Sequence, residues 1–438
     1  MAKVDKVLNL LNSSYSNYHV IKNIEELLLE NQFNVLKENE KWNLEFGKKY
    51  YVKRNNTSII AFTLPNTKTN FGLNITASHS DSPTFKIKPN SIIDDGKYVR
   101  LNTEVYGGPI FTSWLDRPLT LAGRVLINNG NVISTEYIYI DKNLLIIPNI
   151  APHMKPEVAK GTTYNAQIDM LPLLSVSTNR RFDLNEVLAE ELGLNKEDIL
   201  DYDLILVSRQ NTETLGLNDE MVVSPKLDDL GSVYTSLLGF VDSNNCDSIN
   251  LFVCFDNEEV GSNTRQGAGG TFLVDVLDRI FDNLDYSLEE RKIVVANSFM
   301  LSCDNAHACH PNLSSYFDQN NRTYLNSGVV LKYNANQQYT TSGISASYVK
   351  LIAKKANLNL QSFVNRSDIR GGGTLGYVSV SQLSIHAADI GLPQLAMHSS
   401  CEVCGINDIL DMINLVNTFY NSSLIIDNDS DFLVKKWL

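Results

Sequence analysis

The sequence predicts a mixed α/β protein in which one α/β domain is interrupted by a β-rich insert. Residues 249–255 (INLFVCF) form an apolar run of strand length, and a run this apolar is typical of a strand covered on both faces of a parallel sheet. From residue 226 onward, strand-like and helix-like segments alternate, which indicates βα units. Between residues 84 and 180, short β-type runs are instead separated by Gly, Asn and Pro, which predicts a separate β-rich unit.

The length of the chain, 438 residues, also favours two domains over a single core. No internal repeat or low-complexity tract divides the chain further. We therefore assign residues 1–83 and 217–438 to the α/β domain and residues 84–216 to the insert.

The amino-terminal segment is predicted to contain helices followed by strands. Leu8, Leu10 and Leu11 among polar residues indicate an amphipathic helix, because a signal peptide needs a continuous apolar core. Residues 19–36 mix apolar and charged residues at helical spacing, which predicts a second helix. Strands are predicted at residues 50–52, 58–63 and 73–77, the first two joined by a turn.

Within the insert, residues 137–140 and 144–147 are predicted strands. One helix is predicted near residues 184–192, with Asp183 as its N-cap and Glu186 three residues later. A further strand follows at residues 204–207, before the βα units begin.

Composition and charge narrow the classes of function. Hydrophobic residues make up 43% and charged residues 20% of the chain, as in an ordinary globular protein. The formal net charge of −13, with no basic block to offset it, argues against nucleic acid or an anionic membrane as a partner. No apolar run reaches membrane-spanning length. Six cysteines without an export signal favour reduced thiols and a cytoplasmic location.

Glu258 and Glu259 directly follow the apolar run at residues 249–255, in the stretch DNEEVGS. Both carboxylates are thus expected at the carboxyl end of a parallel strand, where open α/β sheets bind their ligands. Adjacent carboxylates repel each other unless a cation or a shared proton relieves them. A metal ion would be bound by one glutamate and leave the other free as a general base. The alternative is a solvated acidic loop, the usual meaning of an isolated pair of glutamates.

Other segments also place acidic or imidazole side chains next to apolar runs. Each has a structural alternative, such as a hydrogen-bonded histidine or an acidic first turn that complements the helix dipole. Together they predict a site for more than one metal ion, and their mixed ligands fit two zinc ions per chain, with manganese or cobalt as alternatives. In chain order they are His79 and Asp81 after residues 73–77, Asp228 and Asp229 at the start of a predicted helix, Asp304 after residues 294–301, and His398 after residues 393–397.

Segments spread over nearly the whole chain resemble the aspartyl aminopeptidase family of metallopeptidases. The resemblance implies a three-layer α/β/α zinc exopeptidase domain interrupted by a β-rich dimerisation domain. It also implies a homo-oligomer, in which dimers assemble into a tetrahedral dodecamer. The segments are ASHSDSP at residues 77–83, VYGG at 105–108, WLDRPL at 114–119, KLDDL at 226–230, DNEEVGS at 256–262, DNAHACHPN at 304–312 and QLAMHS at 394–399.

The same resemblance implies a role for each matching residue. Glu258 is similar to the general base of the family, and Asp81 to the residue that orients the first histidine ligand. The implied metal ligands are His79 and Asp304 at one ion, Glu259 and His398 at the other, and Asp228 as the carboxylate that bridges both.

The remaining candidates concern substrate and assembly. His153 resembles the family's histidine that reaches into the active site of a neighbouring subunit. Lys332 lies where acidic-selective members place a pocket lysine, which would favour Asp or Glu side chains because an unpaired buried charge is costly. Its alternative is a lysine in solvent at the end of a strand. Gly372 and Gly373 are expected to let the backbone approach the substrate, since a phosphate-binding loop would continue with Lys-Ser/Thr.

The predicted function is a zinc-dependent aminopeptidase that hydrolyses the N-terminal residue, Asp or Glu by preference, from peptides. A metal-activated water attacks, and Glu258 moves its proton to the leaving amine. One alternative is a dinuclear amidohydrolase that acts on N-acyl amino acids. Another is a catalytically silent oligomeric scaffold, although a structural metal site is closed and needs no base. Cys401 and Cys404 offer too few ligands for a separate structural zinc site.

Overall fold

The chain folds into ten α-helices and twenty-two strands over residues 2–177, 182–427 and 431–437, the ranges that the computed structural model describes. None of these helices is both long and apolar enough to cross a membrane. The helices are α1 (Ala2–Asn12), α2 (Asn17–Glu30), α3 (Ala166–Asp169), α4 (Leu184–Leu192), α5 (Leu227–Val241), α6 (Phe272–Asn283), α7 (Leu288–Ala296), α8 (Gly343–Lys355), α9 (Leu375–Leu383) and α10 (Ile406–Tyr420). The strands are β1 (Asn34–Leu36), β2 (Lys49–Arg54), β3 (Ser58–Thr63), β4 (Asn74–His79), β5 (Thr84–Asp94), β6 (Tyr98–Tyr106), β7 (Leu119–Asn129), β8 (Val132–Tyr139), β9 (Leu173–Val176), β10 (Ile199–Ser208), β11 (Glu213–Leu215), β12 (Met221–Ser224), β13 (Asn250–Phe255), β14 (Phe299–Cys303), β15 (Ala306–His307), β16 (Val329–Tyr333), β17 (Leu360–Val364), β18 (His386–Gly391), β19 (Pro393–Leu395), β20 (Glu402–Gly405), β21 (Ser422–Asp427) and β22 (Asp431–Trp437).

A nine-stranded sheet forms the centre of the larger unit, in the order β1-β2-β3-β13-β4-β14-β18-β16-β17. Its middle strands β13, β4, β14 and β18 are parallel, and β13 is buried along its whole length. Phe252 and Cys254 pack into the core that α1, α2, α5, α8 and α10 share. Leu251, Val253 and Phe255 pack on the other face with α6, α7 and α9. The predicted three-layer α/β/α arrangement is therefore confirmed.

A second, six-stranded sheet occupies residues 84–208, in the order β8-β7-β10-β5-β6-β9, with antiparallel pairing throughout. It has its own core, to which Trp114, Leu121 and Leu204 contribute and against which α4 packs. This sheet corresponds to the predicted β-rich insert. The division at residues 84 and 216 stays a prediction. Strand β11 lies before residue 216, yet it pairs with β12, which pairs with β20.

Four predicted segments differ in detail from the structure. The first is residues 19–36, where helix α2 ends at Glu30 and residues 34–36 form strand β1. Within the predicted strand at residues 144–147, residues 145–147 form isolated bridges rather than a regular strand. Residues 294–301 divide between the end of α7 and the start of β14, because the capping box at Ser287 starts a helix that ends before Asn297. Residues 393–397 contain β19, which belongs to a separate sheet in the order β11-β12-β20-β19-β15. Short apolar runs alone do not distinguish these cases.

The carboxyl ends of β13, β4 and β14 lie side by side at one edge of the central sheet. Phe255 at the end of β13 pairs with His79 at the end of β4, and Ser302 of β14 pairs with Ala77 of β4. The residues that follow these three strands therefore emerge next to one another, as the parallel arrangement requires.

Candidate metal centre and active site

Asp228 lies between two histidine rings at this edge of the sheet. Its Oδ1 atom is 3.8 Å from Nε2 of His79, and its Oδ2 atom is 3.4 Å from Nε2 of His398. Each carboxylate oxygen thus faces a different imidazole. Asp228 is buried, and its Oδ1 has no hydrogen-bond partner among the described residues. Because a buried polar atom without a partner is costly, this oxygen fits a site that holds a cation.

Two groups of ligand atoms are compact enough to hold a metal ion, and Asp228 belongs to both. A third group shares His79 and Glu259 with them and adds Glu258, so Glu258 lies beside two of the five predicted ligands. Nitrogen and carboxylate ligands of this kind suit zinc. The groups, with ligand atoms within 4.8 Å of one another, are His79 with Asp228 and Asp304, Asp228 with Glu259 and His398, and His79 with Glu258 and Glu259.

The electrostatics of the site also favour a cation. Burial raises the pKa of Glu258 to about 8, and Asp304 raises it further while His79 acts in the opposite direction. Burial and the neighbouring Asp228 raise the pKa of Glu259 well above its usual range. Divalent cations would supply the positive charge that these crowded carboxylates lack.

The turn after β13 presents the two glutamates. Asn257 takes up the left-handed conformation at φ 62°, which asparagine tolerates better than most residues, and a short 3-10 helix follows at Glu258–Val260. The carboxylate of Asp81 accepts the backbone N–H groups of Glu258 and Glu259 at 3.1 and 3.2 Å. Nδ1 of His79 lies 3.0 Å from the carbonyl oxygen of Asp81, which leaves Nε2 as the ligand atom. Asp81 therefore positions both the histidine and the glutamate turn.

A second buried carboxylate, Glu402, supports the other side of the centre. It accepts the backbone N–H of Asp228 at 2.9 Å and that of His398 at 2.6 Å. Although α5 begins at Leu227, the backbone of Asp228 is not helical. The carboxylate of Asp229 accepts the backbone N–H of His79 at 3.1 Å, so this acid holds the neighbouring strand.

Three residues with no role predicted from the sequence contact the candidate ligands or the residues that position them: Glu402, Tyr106 and Gly108. Tyr106 and Gly108 stand in the VYGG segment, and Glu402 lies four residues after His398. That proximity to recognised segments is the only signal that could have pointed to them.

A cavity of about 390 Å³ opens beside the candidate ligands, and Glu258, Lys332, Gly372 and Gly373 are among the residues that line it. Lys332 is only 2% exposed, so the alternative of a lysine in solvent is wrong. A Cβ atom at Gly372 would meet no atom within 4 Å, whereas one at Gly373 would lie 2.9 Å from the ring of Tyr377. Gly372 and Gly373 thus form part of the cavity wall. The contact with substrate that was predicted for them stays a prediction.

His153 is not brought to the ligands within one chain. It is exposed in the insert and is absent from the described residues that line the cavity. Cys401 and Cys404 are free thiols, and in the described part of the chain no compact ligand group includes a cysteine.

The fold and this arrangement of side chains define a metal-dependent hydrolase of the α/β class. Residues 10–420 match the family model described as Aminopeptidase I zinc metalloprotease (M18). The chain is 42% identical over 425 residues to probable M18 family aminopeptidase 2 of Clostridium novyi (strain NT), covering 95% of this chain and 98% of that protein. It is 35% identical to the protein of the same name from Ectopseudomonas mendocina (strain ymp), covering 96% of this chain and 98% of that protein. The chain belongs to the M18 family of zinc aminopeptidases.

Solved structures agree with this assignment. Ape4, in its complex with Nbr1, superimposes with a TM-score of 0.91 at 33% identity, covering 96% of this chain and 86% of that chain. A chain of the S. cerevisiae mApe1 dodecamer gives a TM-score of 0.84 at 26% identity, covering 95% of this chain and 96% of that chain. The predicted resemblance is confirmed, since the M18 family includes the aspartyl aminopeptidases.

Proposed function

We propose that this M18 enzyme holds two zinc ions and removes an acidic residue from the amino terminus of peptides. The position of Asp228 between His79 and His398 carries the proposal. Its two oxygens face separate imidazoles at 3.8 and 3.4 Å, which suits a carboxylate shared by two ions. A single ion would leave one imidazole and its neighbouring carboxylate without a cation.

The residues present fit a zinc ion on each side of Asp228. His79 and Asp304 would hold one ion, and Glu259 and His398 the other. When bound, zinc polarises the scissile carbonyl and lowers the pKa of a water molecule. Manganese or cobalt would accept the same nitrogen and oxygen ligands.

Glu258 is the residue to which we assign proton transfer. It lies outside the two ligand groups that share Asp228, and it lines the cavity in which a substrate would bind. One of its Oε atoms takes a proton from the attacking water and then delivers it to the leaving amine. Asp81 supports this step through the backbone N–H of Glu258, which it accepts at 3.1 Å.

Lys332 supports the preference for an acidic N-terminal residue. Its ammonium donates to the carbonyl oxygens of Asp304 and Asn305 at 2.7 and 3.2 Å, and an ammonium has three N–H groups. The ammonium also lies 3.6 Å from Oδ2 of Asp304 and lines the cavity, where a substrate carboxylate would accept the remaining N–H. Gly372 and Gly373 would let the backbone of their loop approach the same substrate.

We further propose a homo-oligomer in which dimers assemble into a tetrahedral dodecamer, with His153 acting in the active site of the partner subunit. Ile150 and Met154, on either side of His153, are 47% and 77% exposed, and clustered exposed apolar side chains are typical of an interface. A related chain forms the mApe1 dodecamer. Six free thiols fit the cytoplasmic location that we propose.

The test combines metal analysis with a panel of aminoacyl chromogenic substrates. We expect two zinc ions per chain and the highest kcat/KM for aspartyl and glutamyl substrates. Protein that retains one tightly bound ion, even after zinc supplementation, would contradict the two-zinc site. Faster hydrolysis of N-acyl amino acids than of aminoacyl substrates would contradict the aminopeptidase assignment.

A further inference from the structure

The insert reaches the candidate metal centre through residues 106–108, at the end of strand β6. The hydroxyl of Tyr106 donates to Oδ2 of Asp81 at 2.7 Å. The carbonyl oxygen of Gly108 lies 3.1 Å from Nδ1 of His398. We propose that these insert residues are positioning elements of the metal centre, so that the insert sets zinc affinity as well as assembly. The inference rests on the proposed two-zinc site.

Tyr106 acts through Asp81. The two oxygens of Asp81 hold the backbone N–H groups of Glu258 and Glu259, and its carbonyl oxygen contacts His79. The Tyr106 hydroxyl therefore binds the residue that contacts the candidate ligand His79. Through the same residue, Asp81, it is connected to the backbone of Glu258 and Glu259. Burial and Asp81 raise the pKa of the Tyr106 phenol, which keeps the hydroxyl protonated as a donor.

Tyr106 also fixes the residue at which the glutamate turn begins. Its hydroxyl accepts a hydrogen bond from Nδ2 of Asn257 at 2.8 Å. Oδ1 of Asn257 accepts from Thr264 and Gln266, both at 2.9 Å. The phenol thus joins Asp81 to Asn257 through two hydrogen bonds of one hydroxyl group. Its loss would take a partner from both Asp81 and Asn257, and partly buried polar groups without partners are destabilising.

The two glycines allow the insert to approach two ligands closely. Gly107 has φ 67°, and a Cβ atom there would lie 3.1 Å from Cβ and 3.3 Å from Oε2 of Glu259. A Cβ atom at Gly108 would lie 3.4 Å from Nδ1 of His398. Glycine at position 107 therefore satisfies both the left-handed backbone and the close approach.

The carbonyl oxygen of Gly108 determines which nitrogen of His398 can bind a metal. An N–H at Nδ1 donates to this oxygen, so Nε2 carries the free lone pair. Nε2 faces the carboxylates of Asp228 and Glu259, at 3.4 and 3.6 Å. In His79, Nδ1 likewise contacts a backbone carbonyl oxygen, that of Asp81, and Nε2 stays free. One ligand histidine is thus oriented from the α/β domain and the other from the insert.

The experiment compares zinc affinity in two test variants by competition with a chromogenic chelator. Tyr106→Phe removes the hydroxyl and keeps the ring, and Gly107→Ala adds a methyl group against Glu259. Removing groups that orient metal ligands typically costs about 10–100-fold in metal affinity, and we expect a loss of this size in each variant. Visible absorption of the cobalt-loaded proteins should change too, because it reports ligand geometry without reference to activity.

Two control variants make the same chemical changes elsewhere in the insert. Tyr139→Phe removes a hydroxyl that accepts from Arg209 at 2.6 Å. Gly130→Ala adds a methyl group at φ 69°, where nothing lies within 4 Å. Both controls should keep zinc affinity within about two-fold of wild type, since neither touches a ligand or a residue that orients one.

The outcomes separate this inference from the proposed function. Equal zinc affinity in wild type, Tyr106→Phe and Gly107→Ala overturns the inference alone. Wild-type protein that binds no zinc overturns the proposed function and the inference together. If Tyr106→Phe fails to fold, Gly107→Ala decides the question, with Gly130→Ala as the reference for backbone strain.

Discussion

The Lys332 ammonium lies 3.6 Å from Oδ2 of Asp304 and donates to the carbonyl oxygen of the same residue at 2.7 Å. Asp304 is a candidate zinc ligand, so one buried cation both contacts a candidate ligand and borders the cavity beside it. These two functions predict different results when the charge is removed. A loss confined to acidic substrates indicates substrate recognition, whereas an equal loss with all substrates indicates ligand support.

Lys332→Met should lower kcat/KM for aspartyl and glutamyl substrates more than for leucyl substrates. A hydrogen bond to a charged group contributes about 1.5–3 kcal/mol, which corresponds to roughly 10–100-fold. The measurement is the ratio of kcat/KM values for the acidic and leucyl substrates, with zinc content determined in parallel. An unchanged ratio, accompanied by loss of zinc, would show that Lys332 only supports Asp304.

Glu258→Gln should remove most activity and leave zinc content and assembly intact, because glutamine keeps the shape of the side chain but cannot accept the proton. The loss of a positioned base typically costs about 10²–10⁴-fold in kcat. The adjacent Glu259→Gln is the matched control, and it should lose zinc because Glu259 forms one candidate ligand group with Asp228 and His398. Activity of Glu258→Gln within a few-fold of wild type would contradict the assigned role.

Much of the candidate site could be predicted because its ligands follow parallel strands. His79 ends β4 and Asp304 directly follows β14, and the carboxyl ends of neighbouring parallel strands meet at one edge of a sheet. A residue that directly follows one of these strands in the sequence is therefore placed at this edge of the sheet. Glu258 and Glu259 follow the same rule at the end of β13.

The supporting residues could not be predicted, because they reach the site over long separations in the chain. Tyr106 meets Asn257 and Gly108 meets His398 only after the insert packs on the α/β domain. No local periodicity reports such a contact. Glu402 lies near His398 in the chain, yet its second contact, with Asp228, depends on the fold of the whole domain.

Glu402→Gln should weaken zinc binding. The carboxylate accepts the backbone N–H groups of Asp228 and His398, and an amide would direct a donor at one of them. An unsatisfied buried group costs about 1–3 kcal/mol. In this variant the unsatisfied group would be a backbone N–H of Asp228 or His398, both of which are candidate ligands. The measurement is zinc affinity, together with the thermal midpoint in the presence of a chelator.

Asp408→Asn is the control for Glu402→Gln. The buried Asp408 carboxylate accepts the backbone N–H groups of Asn326 and Gly328 at 2.6 and 2.9 Å. Neither of these residues is a candidate ligand. Asp408→Asn should therefore lower stability and leave zinc affinity unchanged. The same zinc affinity in both variants would contradict a role for Glu402 in the metal centre.

His19 should make the protein less stable in acid. Burial, with smaller effects from Lys226 and Lys22, lowers the pKa of His19 to about 4, whereas an unfolded histidine titrates near about 6.5. The folded state thus binds fewer protons between these values, so this stability is present above pH about 6.5 and is lost as the pH falls towards 4. His19→Phe keeps a ring against Tyr15 and removes the titrating group. Between pH about 7.5 and about 5, the thermal midpoint of this variant should fall less than that of the wild type. Equal losses in both proteins would contradict this assignment.

His153 provides the sharpest test of function across an interface, because it is exposed and distant in sequence from every candidate ligand. If it stabilises the developing oxyanion in the active site of the partner subunit, His153→Ala should lower kcat by about 10²–10³-fold. Surface solvation, the alternative, predicts little change. Loss of activity alone would not identify the site on which His153 acts, so the measurement must combine two variants.

Mixing His153→Ala chains with Glu258→Gln chains, under conditions that allow subunit exchange, distinguishes the two arrangements. If the histidine acts across the interface, each mixed dimer contains one site with both groups intact, and random exchange restores about a quarter of all sites. If it acts within its own chain, every site still lacks one group and mixing restores nothing. Glu258→Gln mixed with Glu259→Gln is the control, because both residues belong to the site of their own chain. That mixture should stay inactive whichever arrangement holds for His153.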